Sequence, residues 1–179
     1  MHYTQDESYY LLDAASDGTC YLGLKPGVDP REFRAALEAA LRAGHARLKA
    51  GGSSVDAVAA TITVLEDAPQ FNAGRGAVFT HDGRNELDAS IMDGATLRAG
   101  AVAGVTTVRN PVDAARAVME KSPHVLLAGP GADLFAKEQG LAIVDPSYFR
   151  TEERWRQHQR RKDGGKLGYE GTLHLVPPA

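Results

Sequence analysis

Apolar side chains recur at helical spacing in two consecutive stretches of the chain. The first stretch begins at Asp29-Pro30, a plausible N-cap followed by a proline suited to the first helical position, and ends at Gly51-Gly52. Its spacings of four and seven predict one buried stripe, made of Phe33, Leu37, Leu41 and Leu48. A second helix begins at Ser53, which forms a capping-box pattern with Asp56. Its predicted core face carries Val55, Val58, Ala59, Ile62 and Leu65.

After this helix pair the pattern changes to short strands and glycine turns. Leu87 to Met92 alternates like a strand and Gly100 to Val108 reads as a second one. Asn110-Pro111 begins a helix that runs to about Lys121, His124 to Ala128 reads as a short buried strand, and a helix from about Ala132 to Glu138 follows. The order helix, helix, strand, strand, helix, strand, helix predicts a layered α/β fold rather than a regular βαβ repeat.

Composition excludes several classes of protein. The chain has 179 residues, 43% hydrophobic and 24% charged, which is typical of a globular domain and excludes collagen, wholesale disorder and coiled coil. A single cysteine, Cys20, cannot form an intrachain disulfide, and no zinc-type spacing occurs. No signal-peptide pattern or apolar run of about 20 residues is present, so we expect a cytoplasmic protein that does not enter membranes.

The charge is uneven along the chain. Net charge is −3, which does not favour nucleic acid or anionic lipid, but residues 150–166 are strongly basic. We interpret that run as a solvated helix face or linker rather than a nucleic-acid patch, because only Trp155 could stack on a base. We therefore expect no nucleic-acid partner.

Common catalytic motifs give weak signals. Gly129-Pro-Gly131 lacks the third glycine of a dinucleotide loop, and no nucleophile elbow surrounds any serine. Asp88 and Asp93 lie five apart, which places them on opposite faces of a strand and favours turn and ladder-end roles over an acid/base pair. Cys20 has no evident group to lower its pKa, so an idle thiol is favoured.

The glycine-rich loop around Asn72 is the remaining candidate. Phe71 to Phe79 reads FNAGRGAVF, with one amide, one guanidinium and close glycines. Such a loop can stiffen a neighbouring site or turn several carbonyls toward a hard cation, although a plain surface turn has the same composition. Spacing alone leaves both interpretations open.

Longer blocks of sequence carry a specific resemblance. They are LEDAPQFNAGRGAVF at 65–79, ELDASIMDG at 86–94, AGAVAGV at 99–105, RNP at 109–111, AARAVME at 114–120 and SPH at 122–124. Together they closely resemble the plant-type asparaginase and isoaspartyl peptidase family of N-terminal-nucleophile hydrolases. The resemblance runs from about Phe33 to Trp155, with the blocks in the order and spacing of that family.

The resemblance implies a fold and a mechanism. The fold is a four-layered αββα sandwich, of which this chain supplies about half, and autoproteolysis divides the family precursor into α and β subunits that assemble as a dimer of heterodimers. The nucleophile is the threonine that begins the β subunit. A free α-amine, with a pKa near 8, can serve as base for its own hydroxyl. The expected reaction cleaves the amide of asparagine or a β-aspartyl (isoaspartyl) dipeptide, with no organic cofactor.

The resemblance assigns roles to a few residues of this chain. Asn72 matches the α-subunit asparagine that helps hold the nucleophile region. A structural sodium ion is expected on the main-chain oxygens of the surrounding loop, contributed by Leu65, Glu66, Ala68, Phe71, Ala73 and Arg75. Backbone carbonyls suit a hard cation of this kind.

Two features of the family pattern are missing from the sequence. The β subunit opens with Thr-Val-Gly-Ala-Val-Ala, whereas Gly171-Thr172 is the nearest match here, so no catalytic residue is expected in this chain and Thr172 is only a weak candidate nucleophile. A His-Gly-Gly-Ala-Gly loop precedes the first helix in the family, whereas Gly18 to Gly27 reads GTCYLGLKPG. We therefore divide the chain into a divergent N-terminal segment (1–32), an α-subunit portion (33–163) and a linker or tail (164–179).

Three hypotheses about function follow. The first is an α-subunit portion that is catalytically incomplete alone and requires a β subunit. The second is a truncated, inactive relative that acts as a non-enzymatic protein. The third is a glycosylasparaginase-type hydrolase. On the first hypothesis the isolated chain exposes an apolar patch and self-associates.

Overall fold

The computed structural model describes residues 29–162 and contains five helices and three strands within that range. The helices are α1 (Pro30–Lys49), α2 (Ser54–Asp67), α3 (Pro111–Lys121), α4 (Gly129–Glu138) and α5 (Glu152–Lys162). The strands are β1 (Leu87–Met92), β2 (Ala99–Val105) and β3 (Leu126–Ala128), and short 3-10 helices span Gly74–Gly76 and Pro146–Phe149. The mixed α/β class and the element order through α4 are confirmed.

Local sequence signals explain where the first two helices begin. The Asp29 side chain accepts a hydrogen bond from Arg31 N, and Pro30 occupies the first turn of α1. Ser53 and Asp56 form the predicted capping box, with Asp56 N donating to Ser53 Oγ and Ser53 N donating to Asp56 Oδ2. Both predicted helix starts are confirmed.

The predicted buried stripe of α1 is wrong at two positions. Leu41 and Leu48 are 59% and 53% exposed, whereas Ala40 and Gly44 are buried. A Cβ at Gly44 would overlap the hydroxyl of Thr61, so the two helices approach through small residues rather than through leucines. Val58 of α2 is half-exposed, contrary to its predicted place in the core.

The sheet has the order β1-β2-β3, antiparallel between β1 and β2 and parallel between β2 and β3. Gly100 and Val102 lie on the face that packs against α3, and a Cβ at Gly100 would overlap Ala115 O and Met119 N. The main apolar core lies between this face and the helices, and includes Leu87, Ile91, Val102, Val105, Val112, Val118 and Phe149.

The opposite sheet face is open. Cross-strand partners place Met92, Ser90, Ala99, Ala101 and Leu126 on this side. Met92 and Leu126 are 57% and 55% exposed. The prediction that residues 124–128 form a buried strand is therefore wrong: β3 spans only Leu126–Ala128, and Leu126 and Ala128 are exposed on the face that is open within residues 29–162.

The basic run after Arg150 forms α5 up to Lys162. Its solvated side carries exposed ion pairs such as Arg156–Glu152 at 3.3 Å, as the helix-face interpretation predicts. Arg154 and His158 are buried, however, and Trp155 meets the Phe79 ring edge-on with centroids 5.2 Å apart. This helix is therefore docked on the domain rather than only solvated. The predicted 1–32 segment up to residue 28, and the 164–179 tail, lie outside the described residues.

Candidate functional site

The loop after α2 brings several carbonyl groups close to two glycines. Gly74 has a φ of +47°, and a Cβ there would overlap the Glu66 carbonyl oxygen. A Cβ at Gly76 would overlap the carbonyl oxygens of Phe71 and Pro69. Both positions therefore require glycine, because other parts of the backbone approach them closely. The FNAGRG pattern indicates such an approach but does not show which carbonyl groups make it.

Asn72 is exposed, and its side chain holds the far end of the same loop. Val78 N donates to Asn72 Oδ1 at 2.9 Å. The buried Asn85 donates through Nδ2 to Ala77 O at 3.0 Å and to Val78 O at 3.3 Å. Asn72 is the predicted site residue, whereas Asn85, a second asparagine that holds the loop from outside it, was not predicted from the sequence.

Glu66 is the buried acid of the site. Its side chain is only 3% exposed, and Oε1 accepts a hydrogen bond from Val112 N at 3.0 Å. Oε2 is buried and has no hydrogen-bond partner among residues 29–162. Burial raises the pKa of Glu66 from 4.5 to about 8, against the opposing effect of the Val112 hydrogen bond, so the carboxyl is neutral at pH 7.

The buried position of the Glu66 side chain was not predicted, because only the main-chain oxygen of Glu66 was expected to take part in the site, as a ligand of the cation. A signal was available in the sequence. Ala59, Ile62 and Glu66 follow one another at spacings of three and four, so the acid lies on the predicted core face of α2.

A cavity of about 310 Å³ lies against Asn72 and Glu66. Glu86 and Asp88 also line it, which makes the cavity rich in carboxyl groups. A larger groove of about 1010 Å³ between α1, α2 and α3 is lined by alanines and by charged side chains that include the Asp56–Arg116 ion pair at 2.7 Å. The smaller cavity is the better candidate site, because it adjoins Asn72 and gathers the carboxyl groups of Glu66, Glu86 and Asp88.

Asp67 fixes the base of the loop to a distant part of the chain. Arg109 donates to it through Nε at 3.2 Å and Nη2 at 3.1 Å, and the Tyr148 hydroxyl donates at 3.1 Å. The Arg75 guanidinium lies 5.7 Å from the centroid of the Tyr148 ring. Arg109 was part of a resemblance block, whereas Tyr148 was not identified from the sequence.

The six residues of the expected cation site run from the last turn of α2, which contains Leu65 and Glu66, into the loop that follows it. Leu65 O, Ala68 O and Ala73 O each accept a backbone N–H at 2.9 to 3.2 Å, and the Glu66 and Phe71 carbonyls abut the two glycines. Main-chain oxygens are ligands that suit a hard cation. Within residues 29–162, no group of three or more His, Cys, Asp or Glu side chains could hold a metal ion.

The other sequence candidates have structural roles or lie outside the described range. Asp88 accepts from Gly104 N at 2.8 Å across the strands, and Asp93 accepts from Ala95 N and the Thr96 hydroxyl in a turn. The predicted ladder and turn roles are confirmed. Cys20 and Thr172 lie outside the described residues. Among the described helices, none combines the length and apolar character that a membrane span requires.

Comparisons with known proteins agree with these motifs. The sequence model of the Asparaginase family (Asparaginase_2) matches residues 23–170. Isoaspartyl peptidase of Escherichia coli strain K12 is 52% identical over 133 residues, covering 74% of this chain and 41% of the relative. Plant-type L-asparaginase of Pyrococcus abyssi is 52% identical over 134 residues, covering 75% and 42%. Isoaspartyl peptidase/L-asparaginase of Mus musculus is 48% identical over 129 residues, covering 72% and 39%.

The matches cover most of this chain but less than half of each relative. The chain spans about two-fifths of the length of the curated relatives it matches. The family match nevertheless includes every described residue, with the Asn72 loop and the sheet among them. The chain belongs to the Asparaginase family.

Proposed function

We propose that this chain is the α-subunit portion of an amidohydrolase that cleaves asparagine and β-aspartyl (isoaspartyl) peptides. The single observation that carries the proposal is the identity of about 50% to isoaspartyl peptidases and plant-type L-asparaginases across the Asn72 loop and its supporting elements. The nucleophile is an N-terminal threonine on a separate β subunit, because the sequence lacks the Thr-Val-Gly segment. Thr172 is not the proposed nucleophile.

In this proposal the Asn72 side chain orients the nucleophile region. Its Oδ1 is engaged by Val78 N, which leaves the Nδ2 group as the donor toward an incoming segment. The threonine amine takes the proton from its own hydroxyl, and the hydroxyl oxygen attacks the substrate carbonyl. The leaving amine takes that proton, and water then releases aspartate from the acyl-enzyme.

The loop carbonyls of Leu65, Glu66, Ala68, Phe71, Ala73 and Arg75 would hold a sodium ion. The carbonyls of Glu66 and Phe71, which lie against Gly74 and Gly76, support this part of the proposal, since main-chain oxygens suit a hard cation. The ion would have a structural role. No organic cofactor takes part.

The open sheet face supports the proposed subunit arrangement. Met92 and Leu126 are exposed on a face whose opposite side is fully packed. A second sheet from the β subunit would cover these side chains and complete an αββα sandwich. Two such heterodimers would then form the assembly, with asparagine or a dipeptide as substrate.

Reconstitution tests the proposal. The chain is co-expressed with a family β polypeptide that begins Thr-Val-Gly-Ala-Val-Ala and carries the threonine at its free N-terminus. We expect aspartate release from asparagine and β-aspartyl dipeptides, and at least about a hundredfold loss in Asn72→Ala, the size of effect seen when one oriented donor is removed from a site.

The substrates also separate the alternatives. Release of aspartate only from a glycosylated asparagine would favour a glycosylasparaginase. A stable, correctly assembled complex without turnover on any of these substrates would favour an inactive relative. The missing His-Gly-Gly-Ala-Gly loop in the sequence is the observation behind that second outcome.

A further inference from the structure

Three consecutive residues of the Asn72 loop have backbone groups that are hydrogen-bonded by side chains. Two of these side chains come from outside the loop: Arg154 Nε donates to Gly76 O at 2.6 Å, and Asn85 Nδ2 donates to Ala77 O at 3.0 Å. The third is Asn72 itself, whose Oδ1 accepts from Val78 N at 2.9 Å. The backbone next to the Val78–Asn72 contact is therefore fixed from outside the loop.

The contact with Val78 determines which way the Asn72 amide faces. A backbone N–H can only donate, so the atom facing Val78 must be the amide oxygen. The Nδ2 group then lies on the other branch of the amide, away from Val78. Any displacement of the Val78 peptide group would release this constraint and allow the amide to rotate.

Arg154 is the most remote of the three supporting groups. It lies on α5, 78 residues after Gly76, and is only 6% exposed. A hydrogen bond from a charged donor is among the stronger hydrogen bonds in proteins, and this one is buried. The packing of Trp155 on Phe79 places α5 so that the guanidinium can reach Gly76.

We propose that Arg154 is a positioning residue that fixes the orientation of the Asn72 amide through the Gly76–Val78 backbone. The functional meaning of this role rests on the proposed function, in which Asn72 holds the nucleophile region. The alternative is that Arg154 only attaches α5 to the domain and has no specific effect on Asn72.

Amide hydrogen exchange in the full 179-residue chain separates these alternatives. The Val78 amide reports the hydrogen bond to Asn72, and the Val118 amide reports the core of α3. In Arg154→Met we expect Val78 to exchange about tenfold faster or more while Val118 is unchanged. The through-hydrogen-bond coupling between Val78 ¹⁵N and Asn72 ¹³Cγ should also be lost.

Two further variants complete the test. Arg156→Met removes an exposed arginine from the same helix and should leave both amides unchanged. Arg154→Lys keeps the positive charge without the fixed guanidinium geometry. It should increase the exchange rate of the Val78 amide by a smaller factor, about threefold. If Arg154→Met does not fold, the same comparison in Arg154→Lys decides the question.

The proposal is overturned if Arg154→Met increases the exchange rates of the Val78 and Val118 amides by the same factor, or if it leaves the exchange rate of the Val78 amide unchanged. The exchange measurement uses no substrate, so it does not depend on hydrolysis. If reconstitution yields turnover, Arg154→Met should lower kcat more than it changes KM. If reconstitution yields none while Val78 responds as expected, the proposed function fails but the positioning of Asn72 by Arg154 stands.

Discussion

The side chain of Glu66 caps a helix to which it does not belong: its Oε1 accepts the backbone N–H of Val112 at 3.0 Å, across 46 residues. Val112 lies in the first turn of α3, where N–H groups have no partner within the helix. Asn110, the N-cap residue, makes no side-chain capping bond. Glu66 therefore joins the end of α2, next to the Asn72 loop, to the start of α3.

Glu66 should make stability depend on pH. Its pKa is about 8 in the folded chain against 4.5 for the exposed group, so the folded state retains a proton that the unfolded state loses. The stabilisation is fully present below pH 4.5 and is lost as pH rises through about 8. Urea denaturation should therefore show a falling free energy of unfolding from pH 5 to pH 8.

The variant Glu66→Gln should remove most of this pH dependence. Glutamine keeps an oxygen for Val112 N but does not titrate. Glu86→Gln, which changes a carboxyl that forms a surface ion pair with Arg84, serves as the control and should follow the wild-type pH profile. A steep loss of stability between pH 5 and pH 8 in Glu66→Gln would show that another group is responsible.

Gly100 should not tolerate a side chain. A Cβ there would overlap Ala115 O and Met119 N, both backbone atoms of α3, so the helix must move off the sheet. We expect Gly100→Ala to lower the free energy of unfolding by about 3 kcal/mol, measured by urea denaturation. Gly94→Ala, with nothing within 4 Å of the added methyl group, should change it by less than about 0.5 kcal/mol. Equal effects in the two variants would contradict the close packing of α3 on β2.

The open sheet face should cause self-association of the isolated 179-residue chain. Met92 and Leu126 are exposed on this face, and an uncovered apolar surface favours association. Light scattering should detect species larger than a monomer, and the double variant Met92→Lys and Leu126→Lys should shift the population toward monomer. Arg31→Lys and Arg42→Lys, changed together on the exposed surface of α1, should not. A monodisperse wild-type monomer would contradict this prediction.

The sequence predicted the elements whose signals are local. The Ser53–Asp56 capping box and the Asn110-Pro111 helix start depend on residues within one turn of each other, and both appear in the structure. The Asn72 loop was also located correctly, because its glycines mark close backbone approach. These features need no knowledge of distant partners.

The incorrect predictions concern burial that is decided by distant contacts. Leu41 was placed in the core by its spacing, but Gly44 and Thr61 set the approach of the two helices instead. The strand that includes Leu126 looks buried in the sequence but is open in residues 29–162, because its face has no covering layer there. Arg154 lies in a basic run that the sequence pattern assigns to the surface, but it is buried against Gly76, 78 residues away. Glu66 lies on the predicted core face of α2, but its partner Val112 is 46 residues away and could not be identified from local spacing.

The most direct test of the whole account is aspartate release measured side by side for the isolated chain, the β polypeptide that begins Thr-Val-Gly-Ala-Val-Ala, and the two together. We expect turnover of asparagine or a β-aspartyl dipeptide only when both polypeptides are present, and the same turnover when this chain carries Thr172→Ala. Hydrolysis by the 179-residue chain alone, abolished by Thr172→Ala, would show instead that the nucleophile lies in this chain.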